Sequence, residues 1–378
     1  MKLKFGMIGG GGGLIGPAHI KGTLLDHMCE LYAGNFSRDR KKNQYYGELW
    51  GIEDTSRIYA DFKTMAKEEG AKTGSERLDF IVIVTPNISH YDIAKAFLLQ
   101  GFHIVCDKPL AMTVAEGEEL MNMAKERNLL ICVTYTYSGY AMIRQARELI
   151  EHGELGDITY VNAEIPQEWL ALALNQESSW AMWRLDPELT GGSQVTGDIG
   201  THIEHLIYAT TGLSPLRVLA KFNHIPRSLA MESNATILAE YPGGITGLLW
   251  ASQIAIGHEC DIRIRIFGTK GAVEWAHQDA GRLKFTRLNE PVQYYSAACP
   301  YNYVESIRLS RINPGHPEGF FEAFGNIYRS FCEVLVAQKE GRIPDTFTFP
   351  TAEEGVMGLR FVRACIESNK NGNVWVDV

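Results

Sequence analysis

Two segments of the sequence carry polar side chains that could perform acid–base chemistry. Asp198 and His202 stand four residues apart, so they would lie on one face of a helix. A carboxylate beside an imidazole fixes the orientation of the ring and raises its basicity. Lys108 follows an apolar run, and its ammonium group could stabilise a developing alkoxide. The oxidation of a secondary alcohol requires such a base and such a cation beside a nicotinamide that receives the hydride.

The spacing of Asp198 and His202 is also compatible with two roles outside catalysis. His202 could be an ordinary histidine of a helix whose ring nitrogens are hydrogen-bonded. An Asp and a His at this spacing could also begin a metal site, but the neighbouring sequence offers no third ligand. We therefore expect no metal.

A run of five glycines, Gly9 to Gly13, follows the first apolar segment, and Gly16 completes a G-x-G-x-x-G pattern with Gly11 and Gly13. Glycines in this position allow a tight turn and a close approach of the backbone to a pyrophosphate. A merely flexible loop is the alternative. The expected cofactor contacts in the loop are Gly9, Gly11, Gly13, Leu14 and Ile15. Because the run is two residues longer than the pattern needs, the sequence does not say which glycines contact phosphate.

The end of the second predicted strand is where the adenosine ribose of a dinucleotide is recognised. An acid there would bind the ribose hydroxyls of NAD and repel the 2′-phosphate of NADP. Ser37 stands at this position and Arg38 follows it, a pair that could hold a 2′-phosphate, while the nearby Asp39 keeps NAD open. Arg38 could also be a solvated loop charge. The expected cofactor is therefore NAD(H) or NADP(H).

The first third of the chain alternates strand and helix signals. Predicted strands cover residues 3–8, 30–33, 80–84, 103–106 and 129–133, and predicted helices cover 93–99 and 113–127. This rhythm predicts an α/β fold with a doubly wound parallel sheet, ending near residue 135. Ligands bind beyond the carboxyl ends of such strands, so the candidate site lies in the loops that follow them.

The rest of the chain has a different rhythm. Its apolar and polar residues alternate over longer segments, most strictly at 261–267, which predicts a large, open, mainly antiparallel sheet with one buried face. Helices are expected at 143–151, 319–339 and 352–369. We therefore predict two domains, a dinucleotide-binding domain over residues 1–135 and a second α/β domain over residues 136–378.

Composition excludes several classes of protein. The chain has 378 residues with a net charge of −9 and no basic run, which argues against binding to nucleic acid. No apolar stretch reaches the roughly 18 residues of a membrane span, and the first residues do not resemble a signal peptide. The seven cysteines form no C-x-x-C pair, so we expect reduced, buried thiols and a cytoplasmic protein.

Five motifs in order resemble those of the Gfo/Idh/MocA oxidoreductases, a family named for glucose-fructose oxidoreductase and inositol dehydrogenase. They are the glycine loop with His19, Thr85-Pro86-Asn87 with His90, Asp107-Lys108-Pro109, the segment from Trp183 to His202, and Gly268-Thr269-Lys270-Gly271. The resemblance covers nearly the whole chain. It implies an N-terminal Rossmann domain, a C-terminal domain for substrate binding and oligomerisation, a nicotinamide cofactor and a sugar or polyol substrate.

The resemblance also implies residue roles. Lys108 would hydrogen-bond the reacting hydroxyl, and His202 would be the general acid/base, supported by Asp198. Beyond the glycine loop and the strand-end residues Ser37 and Arg38, the expected cofactor contacts are Thr85, Pro86, Asn87, His90, Asp107 and Lys108. The implied substrate contacts are Lys108, Tyr135, Tyr137, Gln167, Trp183, Arg184, Asp198 and His202.

The chain departs from the family pattern at two places. His205 stands where members often carry an acid, and Thr136-Tyr137 stands where they often carry Asn-Arg, so an unusual substrate stays open. The expected activity is an NAD(P)-dependent dehydrogenase for a sugar, glycoside or polyol, acting as a homodimer or homotetramer. The alternatives are a glycosidase that uses NAD in a closed redox cycle at the same site, and a non-enzymatic NAD(P)-binding sensor.

Overall fold

The computed structural model describes residues 2–176, 184–342 and 349–378. The chain divides into two compact units, Met1–Thr136 with Phe320–Val356, and Tyr137–Gly319 with Met357–Val378. This division differs from the expected one in the C-terminal part of the chain. We expected every residue from 136 onwards in the second domain, but Phe320–Val356 belongs to the first unit.

The first unit is built on a five-stranded parallel sheet with strand order β2-β1-β3-β4-β5. The strands are β1 (Leu3–Gly9), β2 (Cys29–Asn35), β3 (Phe80–Val84), β4 (His103–Cys106) and β5 (Ile131–Val133). The helices are α1 (Gly16–Leu24), α2 (Arg40–Leu49), α3 (Phe62–Gly70), α4 (His90–Leu99), α5 (Val114–Glu126) and, far along the chain, α11 (Phe320–Lys339). The sheet is therefore the doubly wound parallel sheet that the strand and helix rhythm predicts.

Burial on both faces explains why β3 is a continuous apolar run. Ile81 and Ile83 belong to one buried cluster, whereas Val82 and Val84 belong to another, as alternate residues of a strand point to opposite faces. Helix α11 packs against α1 and completes the second cluster. Since the helices cover both faces, the ends of the strands carry the polar loops.

The order in which strands are added to the sheet reverses at β1, although all the strands are parallel. From β1 the connections lead first to β2 on one side and then to β3 on the other. Such a switch point leaves a crevice beyond the carboxyl ends of the two strands, because the flanking connections go to opposite faces of the sheet. The glycine loop follows β1 at this position.

The second unit contains a nine-stranded sheet with strand order β13-β12-β11-β10-β6-β9-β8-β7-β14. The strands are β6 (Ile158–Pro166), β7 (Arg217–Asn223), β8 (Asn234–Tyr241), β9 (Ile245–Ser252), β10 (Arg263–Gly268), β11 (Gly271–Ala276), β12 (Arg282–Arg287), β13 (Gln293–Ser296) and β14 (Val376–Asp377). All neighbours pair antiparallel except β6 and β9, which are parallel. The sheet is thus mixed but mainly antiparallel.

The second unit also contains helices. They are α6 (Ala141–Glu151), α7 (Trp169–Gln176), α8 (Pro187–Thr190), α9 (Thr201–Thr211), α10 (Val304–Ile307) and α12 (Ala352–Lys370), the last of which begins in the first unit. Of these, α6 and α9 pack on strands of this sheet. A short π-helix, Thr196–Gly200, leads directly into α9. On β10, Ile264 and Ile266 are buried whereas Phe267 is 40% exposed, so the opposite face presents polar and apolar side chains to solvent. Among the described residues, no helix has the length and hydropathy to cross a bilayer.

Candidate active site

The glycine loop between β1 and α1 adopts a backbone that only glycine accepts easily. Gly9, Gly10 and Gly12 have positive φ angles of 86°, 82° and 85°. A Cβ atom on Gly16 would lie 2.2 Å from the carbonyl oxygen of Gly10, so the start of α1 packs directly on the loop. These four glycines are therefore required by the turn itself.

Other glycines of the loop differ in what surrounds them. A Cβ atom on Gly11 would lie 2.7 Å from the carbonyl oxygen of Phe36, in the loop after β2. A Cβ atom on Gly13, in contrast, would have its nearest neighbour, the carbonyl oxygen of Gly10, 3.8 Å away. Gly13 therefore has space beside its backbone, and the neighbouring Leu14 is exposed.

This open backbone lies next to the beginning of α1. Ile15 is the N-cap residue of α1, and none of the described side chains caps the helix there. The first amide groups of a helix attract anions because their N–H groups lack intrahelical partners. Space beside Gly13 and an uncapped helix start fit the pyrophosphate of a dinucleotide, so the expected contacts Gly13, Leu14 and Ile15 lie together.

The loop after β2 has its acidic residue already engaged. Asp39 is the N-cap of α2, where Oδ1 accepts a hydrogen bond from the backbone N of Lys42 at 2.8 Å. The Ser37 hydroxyl accepts a hydrogen bond from the backbone N of Asp39 at 3.1 Å. Ser37 is half-buried and Arg38 is exposed. Asp39, whose carboxylate made NAD a possible cofactor in the sequence, thus caps helix α2.

His90 joins the loops that follow β3 and β4. Its Nδ1 lies 2.7 Å from the carbonyl oxygen of Pro109, and its Nε2 lies 2.8 Å from the carbonyl oxygen of Thr85. The side chain has no exposed surface. His90 was expected among the cofactor contacts. In the structure it is a buried residue that links the two loops through their carbonyl oxygens. Pro86 and Asn87 lie at the surface of the same loop.

Lys108 stands directly beyond the end of β4, with a half-buried side chain. Oδ1 of Asp107 accepts hydrogen bonds from the backbone N of Lys108 and from the hydroxyl of Thr134, both at 2.9 Å. Asp107 therefore ties the loop after β4 to the end of β5. Tyr135 was expected to contact substrate, but it is buried in the hydrophobic core of the first unit.

The second unit carries Asp198 and His202 on one continuous helix. Asp198 lies in the π-helix, and His202 lies in the first turn of α9. Oδ2 of Asp198 accepts a hydrogen bond from Nε2 of Gln253 at 2.8 Å and lies 4.0 Å from Nε of Arg184. Asp198, Arg184 and His202 are all partly exposed. A π-helical turn inside a helix is frequently found at functional sites.

Tyr137 packs on the ring of His202. The two ring centroids are 4.9 Å apart with an angle of 82° between the planes, an edge-to-face contact. The Tyr137 hydroxyl lies 3.5 Å from Sγ of Cys260, which also accepts a hydrogen bond from Nε2 of Gln167 at 3.4 Å. The structure therefore brings the expected residues Tyr137, Gln167 and His202 into one group within the second unit.

Cys260 and His277 complete this group and were not predicted from the sequence. Burial acts to raise the pKa of the Cys260 thiol, but hydrogen bonds from His277 and Tyr137 outweigh it and lower the pKa. Burial acts to lower the pKa of His277, but its hydrogen bonds to Cys260 outweigh it and raise the pKa. Burial raises the pKa of the Tyr137 hydroxyl, and the neighbouring Cys260 raises this pKa further. No local motif surrounds these residues, so only their spatial grouping reveals them.

Two further residues of the predicted substrate-domain motif have different outcomes. Trp183 lies outside the described residues. His205, which stands where related proteins often carry an acid, is buried in α9. Among the described residues, no group of three or more His, Cys, Asp or Glu side chains could hold a metal ion.

Comparison with known proteins gives matches in both halves of the chain. Residues 3–135 match the model of an oxidoreductase family described as an NAD-binding Rossmann fold. Residues 143–274 match the model of the GFO/IDH/MocA C-terminal domain. The first unit is thus an NAD-binding domain.

Individual relatives match over most of their length or over part of it. The uncharacterized oxidoreductase YfiI of Bacillus subtilis is 32% identical over 382 residues, covering 99% of this chain and 96% of that protein. An inositol dehydrogenase homolog from Azotobacter vinelandii, solved with NAD+, has 33% identity and a TM-score of 0.95 over 100% of this chain and 98% of that one. Levoglucosan dehydrogenase of Pseudarthrobacter phenanthrenivorans is 34% identical over 259 residues, 63% of each chain.

Proposed function

The chain belongs to the Gfo/Idh/MocA family of NAD-binding oxidoreductases, and on this premise we propose that it transfers a hydride between a secondary alcohol of a sugar, glycoside or polyol and a nicotinamide cofactor. The observation that carries the proposal is the placement of Asp198 and His202 on one helix, with the Asp198 carboxylate held by Gln253. Such an anchored carboxylate supports a histidine that gains and loses a proton.

Each residue has one task in the proposed reaction. His202 accepts the hydroxyl proton of the substrate, and Asp198 stabilises the imidazolium that forms. Lys108 donates a hydrogen bond to the substrate oxygen and so stabilises the charge that develops there as the proton leaves. When bound, the nicotinamide supplies the acceptor for the hydride from the carbinol carbon. The two electrons of the C–H bond thus leave with the hydride, and the proton stays on His202.

The residues that hold the cofactor are those of the first unit. The backbone at Gly13, Leu14 and Ile15 binds the pyrophosphate, and Ser37 with Arg38 meets the adenosine ribose. Support comes from the space beside Gly13 and from the uncapped start of α1. Affinity measurements with NAD and with NADP distinguish the two cofactors.

A polyhydroxylated ring is the proposed substrate class. The Azotobacter vinelandii homolog has also been solved with NADH and myo-inositol, at 32% identity and a TM-score of 0.91. In this chain Gln167 and Arg184 supply polar groups near the Asp198–His202 segment of the second unit, and Tyr137 supplies an aromatic ring. The polar groups of Gln167 and Arg184 suit the hydroxyl groups of a sugar. The ring of Tyr137 suits the C–H face of a sugar ring.

Nicotinamide absorbance tests the proposal directly. The purified protein is mixed with inositols, sugars or glycosides, and with NAD and NADP separately. We expect absorbance to grow with at least one polyol. The rate of this increase should be about 10²- to 10⁴-fold lower in His202→Ala and in Lys108→Ala. His152→Ala, at the exposed end of α6, is the matched control and should keep the wild-type rate.

The other outcomes identify the alternatives. Release of an aglycone from a glycoside without net absorbance change would indicate the redox-cycling glycosidase. Tight cofactor binding without turnover of any compound would indicate a sensor. Full activity of His202→Ala would remove His202 from the reaction.

The quaternary structure and location are also proposed. Phe267 and Leu238 are 40% and 38% exposed on strands of the nine-stranded sheet, so a second copy of this sheet could cover them in a homodimer or homotetramer. A monomeric mass by light scattering would contradict this. All seven cysteines are free thiols, which suits the reducing cytoplasm.

A further inference from the structure

A chain of two buried glutamines leads to the carboxylate of Asp198. Nε2 of Gln194 donates to Oε1 of Gln253 at 2.6 Å, and Nε2 of Gln253 donates to Oδ2 of Asp198 at 2.8 Å. Gln194 is 2% exposed and Gln253 is 0% exposed, whereas the carboxylate at the end of the chain is partly exposed. The two buried amides therefore form a hydrogen-bonded chain that ends on the partly exposed carboxylate of Asp198.

The orientation of both amides follows from the carboxylate. An ionised Asp198 only accepts hydrogen bonds, so the Gln253 amide must direct its NH2 group toward it. The oxygen of Gln253 then faces Gln194, which must direct its own NH2 group toward Gln253. If either amide turned over, two acceptors or two donors would face each other. The direction of the whole chain is thus determined by the charge at its end.

This arrangement leaves one polar atom unsatisfied. Within the described residues, Oε1 of Gln194 is buried and has no hydrogen-bond partner. A buried acceptor without a partner destabilises a protein, because it has lost its hydrogen bonds to water without replacement. Packing alone gives no reason to keep two amides in this orientation. An unsatisfied buried oxygen in a native protein calls for an explanation. An orientation that places a hydrogen-bond donor on Asp198 gives one.

The other end of the chain is held by the carboxylate of Glu232, which is buried. Glu232 accepts hydrogen bonds from the hydroxyl of Ser193 at 2.6 Å, from the backbone N of Thr196 at 2.9 Å and from the backbone N of Gln194 at 3.2 Å. The Ser193 hydroxyl in turn accepts from the backbone N of Gly197 at 3.0 Å. These contacts fix both the backbone of Gln194 and the first turn of the helix that carries Asp198.

We propose that Gln253, held in one orientation by Gln194, is a positioning residue that keeps the Asp198 carboxylate ionised and directed for its work with His202. The inference rests on the proposed function. A hydrogen bond donated to a carboxylate favours the charged form. An ionised Asp198 stabilises the protonated His202 that forms when substrate loses its proton. Arg184, with Nε 4.0 Å from the same oxygen, is a charged group that also faces the carboxylate. Without the hydrogen bond from Gln253 the carboxylate would still take up a proton more readily, and the step at His202 would slow.

Two substitutions of Gln253 separate positioning from packing. Gln253→Leu keeps the volume and removes the donor, so we expect kcat to fall by about 10- to 100-fold at every pH, with unchanged NAD affinity. Gln253→Glu can still donate when it is protonated but repels Asp198 when it is ionised. Its kcat relative to wild type should therefore rise as the pH is lowered. Gln293→Leu, on the exposed edge strand β13, is the control and should behave as wild type.

A merely structural role gives a different result. In that case both variants would lower kcat by a factor that does not change with pH. Wild-type kcat in Gln253→Leu would also overturn the proposal. Melting temperature and NAD binding of each variant show whether it folds, and a poorly folded leucine variant leaves the pH profile of Gln253→Glu to decide.

A measurement without turnover separates this inference from the proposed function. The γ-carbon resonance of Asp198, assigned with Asp198→Asn in protein labelled with carbon-13 aspartate, reports the ionisation of the carboxylate. We expect it to titrate at higher pH in Gln253→Leu than in wild type. If no substrate is oxidised but this shift occurs, the proposed function fails while the hold of Gln253 on Asp198 stands. An unchanged titration contradicts that hold, whatever the activity.

Discussion

Gln253 donates a hydrogen bond from Nε2 to Oδ2 of Asp198 at 2.8 Å, across 55 positions of sequence. Gln253 directly follows β9, and Asp198 lies in the π-helix before α9. The contact therefore anchors the helix that carries His202 to the end of a strand in the nine-stranded sheet. Glu232 anchors the start of the same helix through the backbone N of Thr196.

Glu232→Gln should destabilise the second unit. The buried carboxylate accepts three hydrogen bonds, and the amide that replaces it offers only one oxygen. We expect the free energy of unfolding in urea to fall by about 2–3 kcal/mol. Glu240→Gln, which loses an exposed ion pair with Arg217, should lose less than about 1 kcal/mol. Equal effects of the two substitutions would contradict the anchoring role of Glu232.

Two glycines of the loop after β1 should respond differently to alanine. Gly16→Ala places a Cβ atom 2.2 Å from the Gly10 carbonyl oxygen, so both stability and NAD affinity should fall. Gly13→Ala meets nothing closer than 3.8 Å, so its melting temperature should stay near that of wild type. Its NAD affinity should still fall, by about tenfold, because the methyl group occupies space for the pyrophosphate. Calorimetry of both variants checks this; unchanged NAD affinity in Gly13→Ala would place the pyrophosphate elsewhere.

Ser37→Asp should discriminate between the two nicotinamide cofactors. A carboxylate at the end of β2 repels the 2′-phosphate of NADP and can accept hydrogen bonds from the ribose of NAD. We expect the Kd for NADP to rise by at least about tenfold, while the Kd for NAD stays or falls. Fluorescence titration with each cofactor measures both constants. An unchanged Kd for NADP would show that Ser37 does not face the ribose.

His19 should make the stability of the first unit depend on pH. Its ring is buried with Nδ1 2.7 Å from the Tyr328 hydroxyl, and burial lowers its pKa from 6.5 to about 4. Between these values the unfolded chain binds a proton that the folded chain does not, so stability falls as the pH falls through this window. The contribution is about 3 kcal/mol.

Chemical denaturation between pH 7 and pH 4 measures this effect. His19→Gln should flatten the dependence of the unfolding free energy on pH. It should not abolish it, because burial also lowers the pKa of His103 to about 4. The same slope in the variant would mean that the pKa of His19 is not lowered in the folded protein.

Cys260 should be alkylated ahead of the buried thiols. Its pKa is lowered and its side chain is partly exposed, whereas burial raises the pKa of Cys106, Cys132 and Cys365. Iodoacetamide reacts with thiolates, so peptide mass spectrometry at pH 8 should find Cys260 modified before these three. His277→Gln removes a group that lowers the pKa and should slow the reaction. Equal labelling of Cys106 would contradict the structure.

Local patterns in the sequence were enough to predict much of the first unit. The apolar run of β3 follows from burial on both faces. The helix expected at 113–127 begins with a capping box, in which Thr113 and Glu116, three residues apart, make both hydrogen bonds. The glycine loop and the Asp198–His202 spacing were equally readable. In each case the interacting residues are neighbours in sequence, so residue type and spacing carry the information.

Other features depended on which strands and helices become neighbours in space. The return of α11 to the first unit, the Cys260 contact with Tyr137 across 123 positions, and the Gln253 contact with Asp198 have no local signature. Glutamine and cysteine at strand ends are ordinary surface or core residues until a partner is placed beside them. The sequence by itself therefore determined the five strands of the parallel sheet and the reactive residue types, but not helices α2 and α3. Tertiary structure alone decided which side chains support them, because strand order and helix packing set those distances.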